Sequence, residues 1–282
     1  MAEQLRAALA RATRTLAAAG VDNPRLDAAL LLAEALGSSR DRLLGIPDRP
    51  LARPERAAYD RLIGRRQRRE PLSHVIGRRE FHGLTFQVSA AVLDPRPDSE
   101  SLIEAALAEF PAASAPRLVD LGCGSGCLML SLLAKLPGAF GLGIDLSPAA
   151  IDIAGTNARQ LGLASRAVFA VSDWAGAVAG RFDLILCNPP YIASAVLPTL
   201  APEVALHEPR LALDGGADGL GAYRRILPDL PRLLARTGVA VLECGHGQAA
   251  DIEGLAQAQG LVLSRTGHDL AGVKRALVFR RG

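Results

Sequence analysis

The chain has 282 residues, 49% hydrophobic and 22% charged, which excludes disordered and collagen-like architectures and leaves room for two domains. No apolar run approaches the about 20 residues of a membrane span. The start, Met1-Ala2-Glu3-Gln4-Leu5-Arg6, lacks a signal peptide's apolar core, and the four cysteines include no Cys-x-x-Cys, so a cytoplasmic globular protein is expected. The net charge of +3 is concentrated early, with 14 Arg against nine Asp and Glu in residues 1–70. Only Lys135 and Lys274 are lysines, which reads as the bias of a GC-rich coding sequence; it leaves only a weak preference for an acidic partner such as RNA.

Residues 1–70 predict a small helical bundle. Leu5, Leu9 and Leu16, then Leu26, Leu30, Leu31 and Leu36, recur at helical spacing. Asn23-Pro24 starts a helix, because Pro costs nothing in a first turn, and Gly37 ends it. A further helix is predicted from Pro54 to Arg69, broken by Glu70-Pro71. The run Arg65-Arg66-Gln67-Arg68-Arg69 reads as a solvated helix end, with an acidic partner as the alternative. Residues 71–93 predict a β-hairpin connector, carried by Phe81-His82-Gly83-Leu84-Thr85-Phe86-Gln87-Val88.

Residues 94–282 form the third expected region. Asp94-Pro95-Arg96-Pro97-Asp98-Ser99-Glu100 makes a stiff loop in which Asp98 caps the next helix. Short apolar runs follow at Arg117–Leu121, Gly141–Asp145, Ala167–Val171 and Phe182–Cys187, with helical stretches between the first three. Gly238–Cys244, Leu261–Arg265 and Arg275–Phe279 extend the series. The alternation predicts a mostly parallel α/β sheet with helices on both faces, and ligands at the carboxyl ends of its strands.

Those ends hold the chemistry. The first gives Gly122-Cys123-Gly124-Ser125-Gly126, whose alternate glycines let a ligand approach the backbone. A dinucleotide fingerprint would need Gly where Cys127 stands. The second gives Asp145, placed to accept hydrogen bonds from both ribose hydroxyls of an adenosine. A helix-capping Asp is the other reading of Asp145, disfavoured because Ser147 can cap the helix that follows. After the third, Asp173 is a candidate acceptor for an adenine amino group. Trp174, the single Trp, is a candidate cover for the ring, with a buried core Trp as the other reading.

The fourth strand ends in Asn188-Pro189-Pro190-Tyr191, the most specific signal in the chain. Two prolines without N–H groups make a rigid loop of acceptors, and Asn188 adds an amide oxygen. Such a loop suits a planar group bearing an NH₂. The five histidines are scattered without metal-ligand spacing, and Cys123 with Cys127 provides two thiols, too few for zinc; no metal is expected.

Together these pieces resemble class I S-adenosylmethionine-dependent methyltransferases, and the Asn-Pro-Pro-Tyr loop resembles their amino-methylating branch. Pro95-Arg96-Pro97-Asp98-Ser99-Glu100 is similar to the Pro-Arg-Pro-Glu-Thr-Glu of the bacterial release factor glutamine methyltransferases (PrmC/HemK family). Phe81-His82-Gly83-Leu84 resembles that family's hairpin, and Glu208-Pro209-Arg210-Leu211-Ala212-Leu213 with Gly219-Leu220 its segment after the loop. The departures are Asp98-Ser99 for Glu-Thr and Cys123 for a frequent Thr. A sister family acting on a ribosomal-protein glutamine usually reads Pro-Arg-Ser-Pro at the first motif, which disfavours it.

The resemblance implies a Rossmann-like methyltransferase domain behind a helical substrate-recognition domain. It implies S-adenosylmethionine contacts from Gly122, Cys123, Gly124, Ser125, Gly126, Asp145, Trp174 and Asn188. Substrate contacts would come from Asn188, Pro189, Pro190 and Tyr191, with Asn188 and Pro189 catalytic. The implied substrate is the glutamine of the Gly-Gly-Gln motif in peptide chain release factors. Its amide nitrogen is a poor nucleophile, so acceptors at Asn188 and the Pro189 carbonyl would aim it and favour its developing positive charge. Rival readings are a ribosomal-protein glutamine or adenine-N6 methyltransferase and, of another class, a silent nucleotide-binding module. An adenine-N6 enzyme would carry a lysine- and aromatic-rich recognition domain, whereas residues 1–70 hold one aromatic, Tyr59, and no Lys.

Overall fold

The computed structural model describes residues 3–43, 45 and 47–282, so Met1 and Ala2 of the amphipathic start lie outside the described residues. Chain contacts separate two units. One runs to Gly77 and also takes Ala201–His207; the other comprises Arg78–Leu200 and Glu208–Gly282. Among the described residues no helix is long and apolar enough to cross a membrane.

The first unit is helical, with α1 (Leu5–Ala18), α2 (Pro24–Ala35), α3 (Arg40–Leu43), α4 (Arg53–Gln67) and α5 (Leu72–Ile76). Leu5, Ala8, Ala12 and Leu16 form the buried stripe of α1, as three- and four-residue spacing requires. They pack with Leu31, Leu32, Tyr59 and Ile63 into one core. Pro24 occupies the first turn of α2. Gly37, at φ +59°, closes that helix as Ser38 N donates to the Ala33 carbonyl at 2.9 Å. The break expected at Glu70-Pro71 is brief: Pro71 caps α5, so this unit continues to Gly77 and not residue 70.

The arginine run at the end of α4 is not a solvated helix end. Arg65 pairs with Glu70 and donates to the carbonyls of His74 and Val75. The Arg66 side chain is only 8% exposed and bridges Asp27 and Glu203, at 2.8 Å each. Arg69 grips both oxygens of Glu203 at 2.6 and 2.7 Å. The acidic partner lies in the same chain, far off in sequence. Glu203 stands on the short helix Pro202–His207, and His207 adds a bond between its ring and the Arg68 carbonyl. The chain thus leaves the second unit after Leu200, gives this helix to the first, and returns at Glu208.

The second unit opens with a hairpin of β1 (Arg78–Phe81) and β2 (Leu84–Gln87). Its two-residue turn, His82-Gly83, has both φ values positive, at 49° and 74°, as a twisted hairpin requires. Then follow β3 (Arg117–Leu121), β4 (Phe140–Asp145), β5 (Ala167–Val171), β6 (Phe182–Cys187), β7 (Leu234–Glu243), β8 (Leu261–His268) and β9 (Lys274–Arg281). They form one sheet ordered β5-β4-β3-β6-β7-β9-β8, with β5 to β7 parallel and β9 antiparallel to both neighbours. Side chains alternate between faces: Val119, Ile185, Ala240 and Leu277 enter one core, while Leu118, Leu184, Val241 and Val278 enter the other. Both cores need helical cover, and α7 (Cys127–Lys135) on one face and α10 (Gly221–Ile226) on the other contribute it. After β5 the strand order reverses, and β6 lies on the far side of β3. The carboxyl ends of β3 and β6 therefore border the switch point, where a crevice must open.

Burial pulls the Glu203 pKa up, but hydrogen bonds from Arg69 and Arg66 outweigh it and hold the group at about 2, below its usual 4.5. A depressed carboxylate stabilises the fold fully above its unfolded pKa and loses that contribution as pH falls through its folded one. Glu203→Ala should therefore cost about 1–3 kcal/mol at neutral pH. In urea unfolding of the full chain, the gap between variant and wild type should close as pH falls from 4.5 towards 2. An equal gap at neutral pH and at the acid end would mean these ion pairs contribute nothing.

Candidate active site

A cavity of about 730 Å³ lies at the carboxyl end of the sheet. Gly122, Cys123, Gly124, Ser125, Asp145, Trp174, Asn188 and Pro190 all line it, together with Pro95, Arg96 and Ser99 from the loop before α6 (Glu100–Leu107). The glycine run leaves β3 and folds over the neighbouring strand, with Gly122 N and Cys123 N both donating to the Ile144 carbonyl at 2.8 Å. Gly124 has φ +53°, and a Cβ there would meet nothing within 4 Å. The backbone is thus bare toward the cavity, as a cradle for a ligand must be. At Gly122, φ +79°, a Cβ would press on the Trp174 ring at 3.2 Å.

Trp174 is half-buried and lines the cavity, as a ring cover would. Its φ of +47° is unusual for an aromatic residue and costs on the order of 1–3 kcal/mol, a strain typical of ligand sites. Asp173 also lines the cavity, but its carboxylate is held by Arg225. Asp145 does more than its sequence position suggested. One carboxylate oxygen accepts from Gly124 N and the other from Ser147 N, each at 2.9 Å, so it pins the glycine run while keeping lone pairs for a ligand. Ser147 caps α8 (Pro148–Gln160), its Oγ accepting from Ala150 N.

Of the Asn-Pro-Pro-Tyr loop, Asn188 and Pro190 line the cavity, whereas Pro189 is buried and Tyr191 turns into the core. Asn188 Nδ2 donates to Ser99 Oγ at 3.1 Å. Among the described residues no hydrogen bond from the chain reaches Asn188 Oδ1 or the Pro189 carbonyl. The Tyr191 carbonyl is taken by Gln248 Nε2 at 3.0 Å. The chain then folds back: Ile192 N donates to the Leu213 carbonyl at 3.0 Å, Gly215 N donates to the Ile192 carbonyl at 2.8 Å, and Ser194 Oγ donates to Asp214 at 2.6 Å. This return brings Pro209, Leu211 and Ala212 to the cavity wall.

Several contributors escaped the sequence reading. Asp98 does not cap a helix; it pairs with Arg275 at 2.8 Å, and Ser99 precedes α6 without a side-chain cap. Asn157, fully buried on α8, donates to the carbonyls of Ser125 and Gln87 and accepts from Gln87 N at 2.7 Å, tying the glycine run to the hairpin. Arg96 is fixed at the cavity by Glu208 at 2.6 Å. Burial pushes Cys127 to about 12 and Cys123 well above its usual value, so both remain neutral thiols.

The family model for the PrmC N-terminal domain matches residues 7–77, and that for the methyltransferase small domain matches residues 97–215. A release factor glutamine methyltransferase of Rhodospirillum rubrum is 50% identical, covering 97% of this chain and 84% of that protein. The chain belongs to the release factor glutamine methyltransferase family. A second relative of the same name, from Cereibacter sphaeroides, is 46% identical over 99% of this chain and 98% of its own length. Among solved structures, a methyltransferase from Pyrococcus furiosus shares the fold of the second unit, with TM-score 0.53 at 16% identity over 71% of this chain and 90% of that one. The family's two parts thus fall on the helical unit and on the sheet that holds the cavity.

Asp145→Ala should weaken S-adenosylmethionine binding ten- to a hundredfold, since hydrogen bonds to a charged acceptor contribute about 1.5–3 kcal/mol. Asn157→Ala, which frees the Ser125 carbonyl, should weaken it as well, although Asn157 does not line the cavity. Calorimetry measures both. Unchanged affinity in the first variant would place the ribose elsewhere.

Proposed function

We propose that this protein transfers a methyl group from S-adenosylmethionine to the side-chain amide nitrogen of the glutamine in the Gly-Gly-Gln motif of peptide chain release factors. The observation that carries the reading is Asn188, an amide whose oxygen has no hydrogen-bond partner among the described residues, at the wall of the cavity by the sheet's switch point. Membership of the family supports the substrate class. The cofactor fits the donor set: a bare glycine cradle at Gly124, a carboxylate at Asp145 with lone pairs to spare, and an aromatic face at Trp174.

In this reading Asp145 would accept from the ribose hydroxyls, Trp174 would cover the adenine, and Gly122 to Ser125 would cradle the remainder; Gly126 precedes α7, packs against Leu130 and Ala154, and does not line the cavity. S-adenosylmethionine supplies a sulfonium methyl already activated for displacement. The protein's task is to prepare a weak nucleophile. Asn188 Oδ1 and the Pro189 carbonyl accept the two hydrogens of the glutamine amide, fixing its nitrogen in line with the methyl. As the nitrogen gains positive charge, the same two oxygens stabilise it without having to move, and once the methyl is bonded one N–H proton is released to solvent, which restores a neutral amide. Two prolines keep them in place, and orientation of this kind supplies several kcal/mol, about 7–11 at the upper limit.

The helical unit gives little support to a nucleic-acid partner. Its single aromatic in residues 1–70, Tyr59, is fully buried and donates to the Ala28 carbonyl at 2.9 Å, and Arg65, Arg66 and Arg69 are spent on internal carboxylates. A protein substrate in the cytoplasm, where release factors act, is the consistent reading.

Mass spectrometry of a release factor incubated with enzyme and cofactor tests this directly. One added CH₂ on the Gly-Gly-Gln peptide is expected; modification confined to a ribosomal protein or to adenine would overturn the substrate assignment. Asn188→Ala should fold normally, bind cofactor nearly as well, and lose about a hundred- to thousandfold in single-turnover rate. A rate within threefold of wild type would remove Asn188 from the mechanism.

A further inference from the structure

The Asn188 carboxamide can face a substrate with either end, and only its oxygen end can accept hydrogens from a glutamine NH₂. The chain behind it decides between them. Ser99 Oγ, which accepts from Asn188 Nδ2 at 3.1 Å, donates its single proton to Glu243 Oε2 at 2.5 Å. A hydroxyl whose proton is committed to a carboxylate can only accept from its other neighbour. The Asn188 NH₂ is therefore drawn inward and Oδ1 is left for the cavity. The other oxygen, Glu243 Oε1, accepts from the Tyr191 hydroxyl at 3.2 Å, which fastens the far end of the same Asn-Pro-Pro-Tyr loop.

Glu243 is 1% exposed, Ser99 3%, and Glu243 does not line the cavity. A buried carboxylate at the last residue of β7 is costly unless it is hydrogen-bonded, and Ser99 and Tyr191 donate to its two oxygens. We propose that Glu243, acting through Ser99, is a positioning residue that sets which end of the Asn188 carboxamide meets the substrate. This deepens the reading of Asn188 as the acceptor for the glutamine amide and rests on it.

The groups around Glu243 fit that role. Tyr191 and Ser99 donate to it, while Arg275 lies near as a cation that Asp98 and Asp269 share. The Tyr223 hydroxyl donates to the Glu243 backbone carbonyl at 2.7 Å, the thiols of Cys127, Cys187 and Cys244 lie within electrostatic reach of its carboxyl, and burial holds all four in their neutral forms. Burial pushes the Glu243 carboxyl up to about 7, against the lowering effect of Ser99, Tyr191 and Arg275. Once protonated, Glu243 can donate to Ser99, which is then free to donate to Asn188 Oδ1 and turn the wrong end outward. The orienting form is the carboxylate, so the rate of transfer should fall as pH drops through about 7.

The test is single-turnover methylation of a release factor at saturating cofactor across pH, for wild type, Asn188→Ala, Ser99→Ala, Ser99→Thr and Glu243→Gln. Thermal melting and cofactor affinity establish that each variant is folded. Ser99→Ala and Glu243→Gln should lose at least tenfold in rate with cofactor affinity within twofold of wild type. The acid-side fall near pH 7 should vanish in both. Ser99→Thr, which keeps the hydroxyl, should recover most of the rate. Because the two groups form one chain, the double variant should be no slower than Ser99→Ala alone. If Glu243→Gln does not fold, Ser99→Ala against Ser99→Thr decides. Wild-type rates and pH profiles in Ser99→Ala, while Asn188→Ala collapses, would overturn the positioning role and leave Asn188 in place. An active Asn188→Ala would overturn both.

Discussion

A carboxamide is a weak nucleophile with two hydrogens on its nitrogen, and any protein that methylates one must offer acceptors where those hydrogens point. Donors there would repel the substrate, and water would compete for it. In the proposed mechanism two acceptors meet this constraint: the Pro189 carbonyl, which carries no hydrogen, and Asn188 Oδ1, left toward the cavity while the Asn188 NH₂ is held by Ser99. Ser99 holds the Asn188 NH₂, and Glu243 in turn takes the Ser99 proton.

The fold supplies the rigidity. Parallel strands buried on both faces bring Leu121, Asp145, Cys187 and Glu243 to one edge of the sheet, because register fixes Leu121 opposite Ile144 and Cys187 opposite Leu242. Reversal of the strand order at β3 and β6 then opens a crevice between the glycine run and the Asn188 loop. The candidate cofactor groups and the Asn188 loop thus line one cavity from neighbouring strand ends. The price is a set of buried polar groups, each requiring a partner: Asn157 under the glycine run, Glu243 behind Asn188, Glu208 beside Arg96.

Much of this was legible in the sequence because it is local. Strand runs, the hairpin turn at His82-Gly83, the Gly-x-Gly-x-Gly run and the Asn-Pro-Pro-Tyr loop each announce themselves within a few residues. The missing parts are partnerships across long stretches of chain. Glu203 meets Arg66 and Arg69 from 137 and 134 residues away, and nothing near the arginines marks them as buried. Asp98 sits where a helix cap belongs, yet Arg275 takes it from another strand. Glu243 ends an apolar strand and resembles any terminal polar residue until Ser99 and Tyr191 are seen to converge on it. A lone Glu closing a buried strand that runs to the ligand edge is the one signal that could have been used.

The most direct test of the central claim is a crystal structure of the enzyme with S-adenosylhomocysteine and a Gly-Gly-Gln peptide from a release factor, refined with hydrogen-bond geometry that assigns both amides. The glutamine nitrogen should lie about 2.7–3.2 Å from Asn188 Oδ1, with Asn188 Nδ2 still on Ser99 and the sulfur in line behind the nitrogen. A glutamine bound away from Asn188, or one meeting its NH₂ end, would contradict the account.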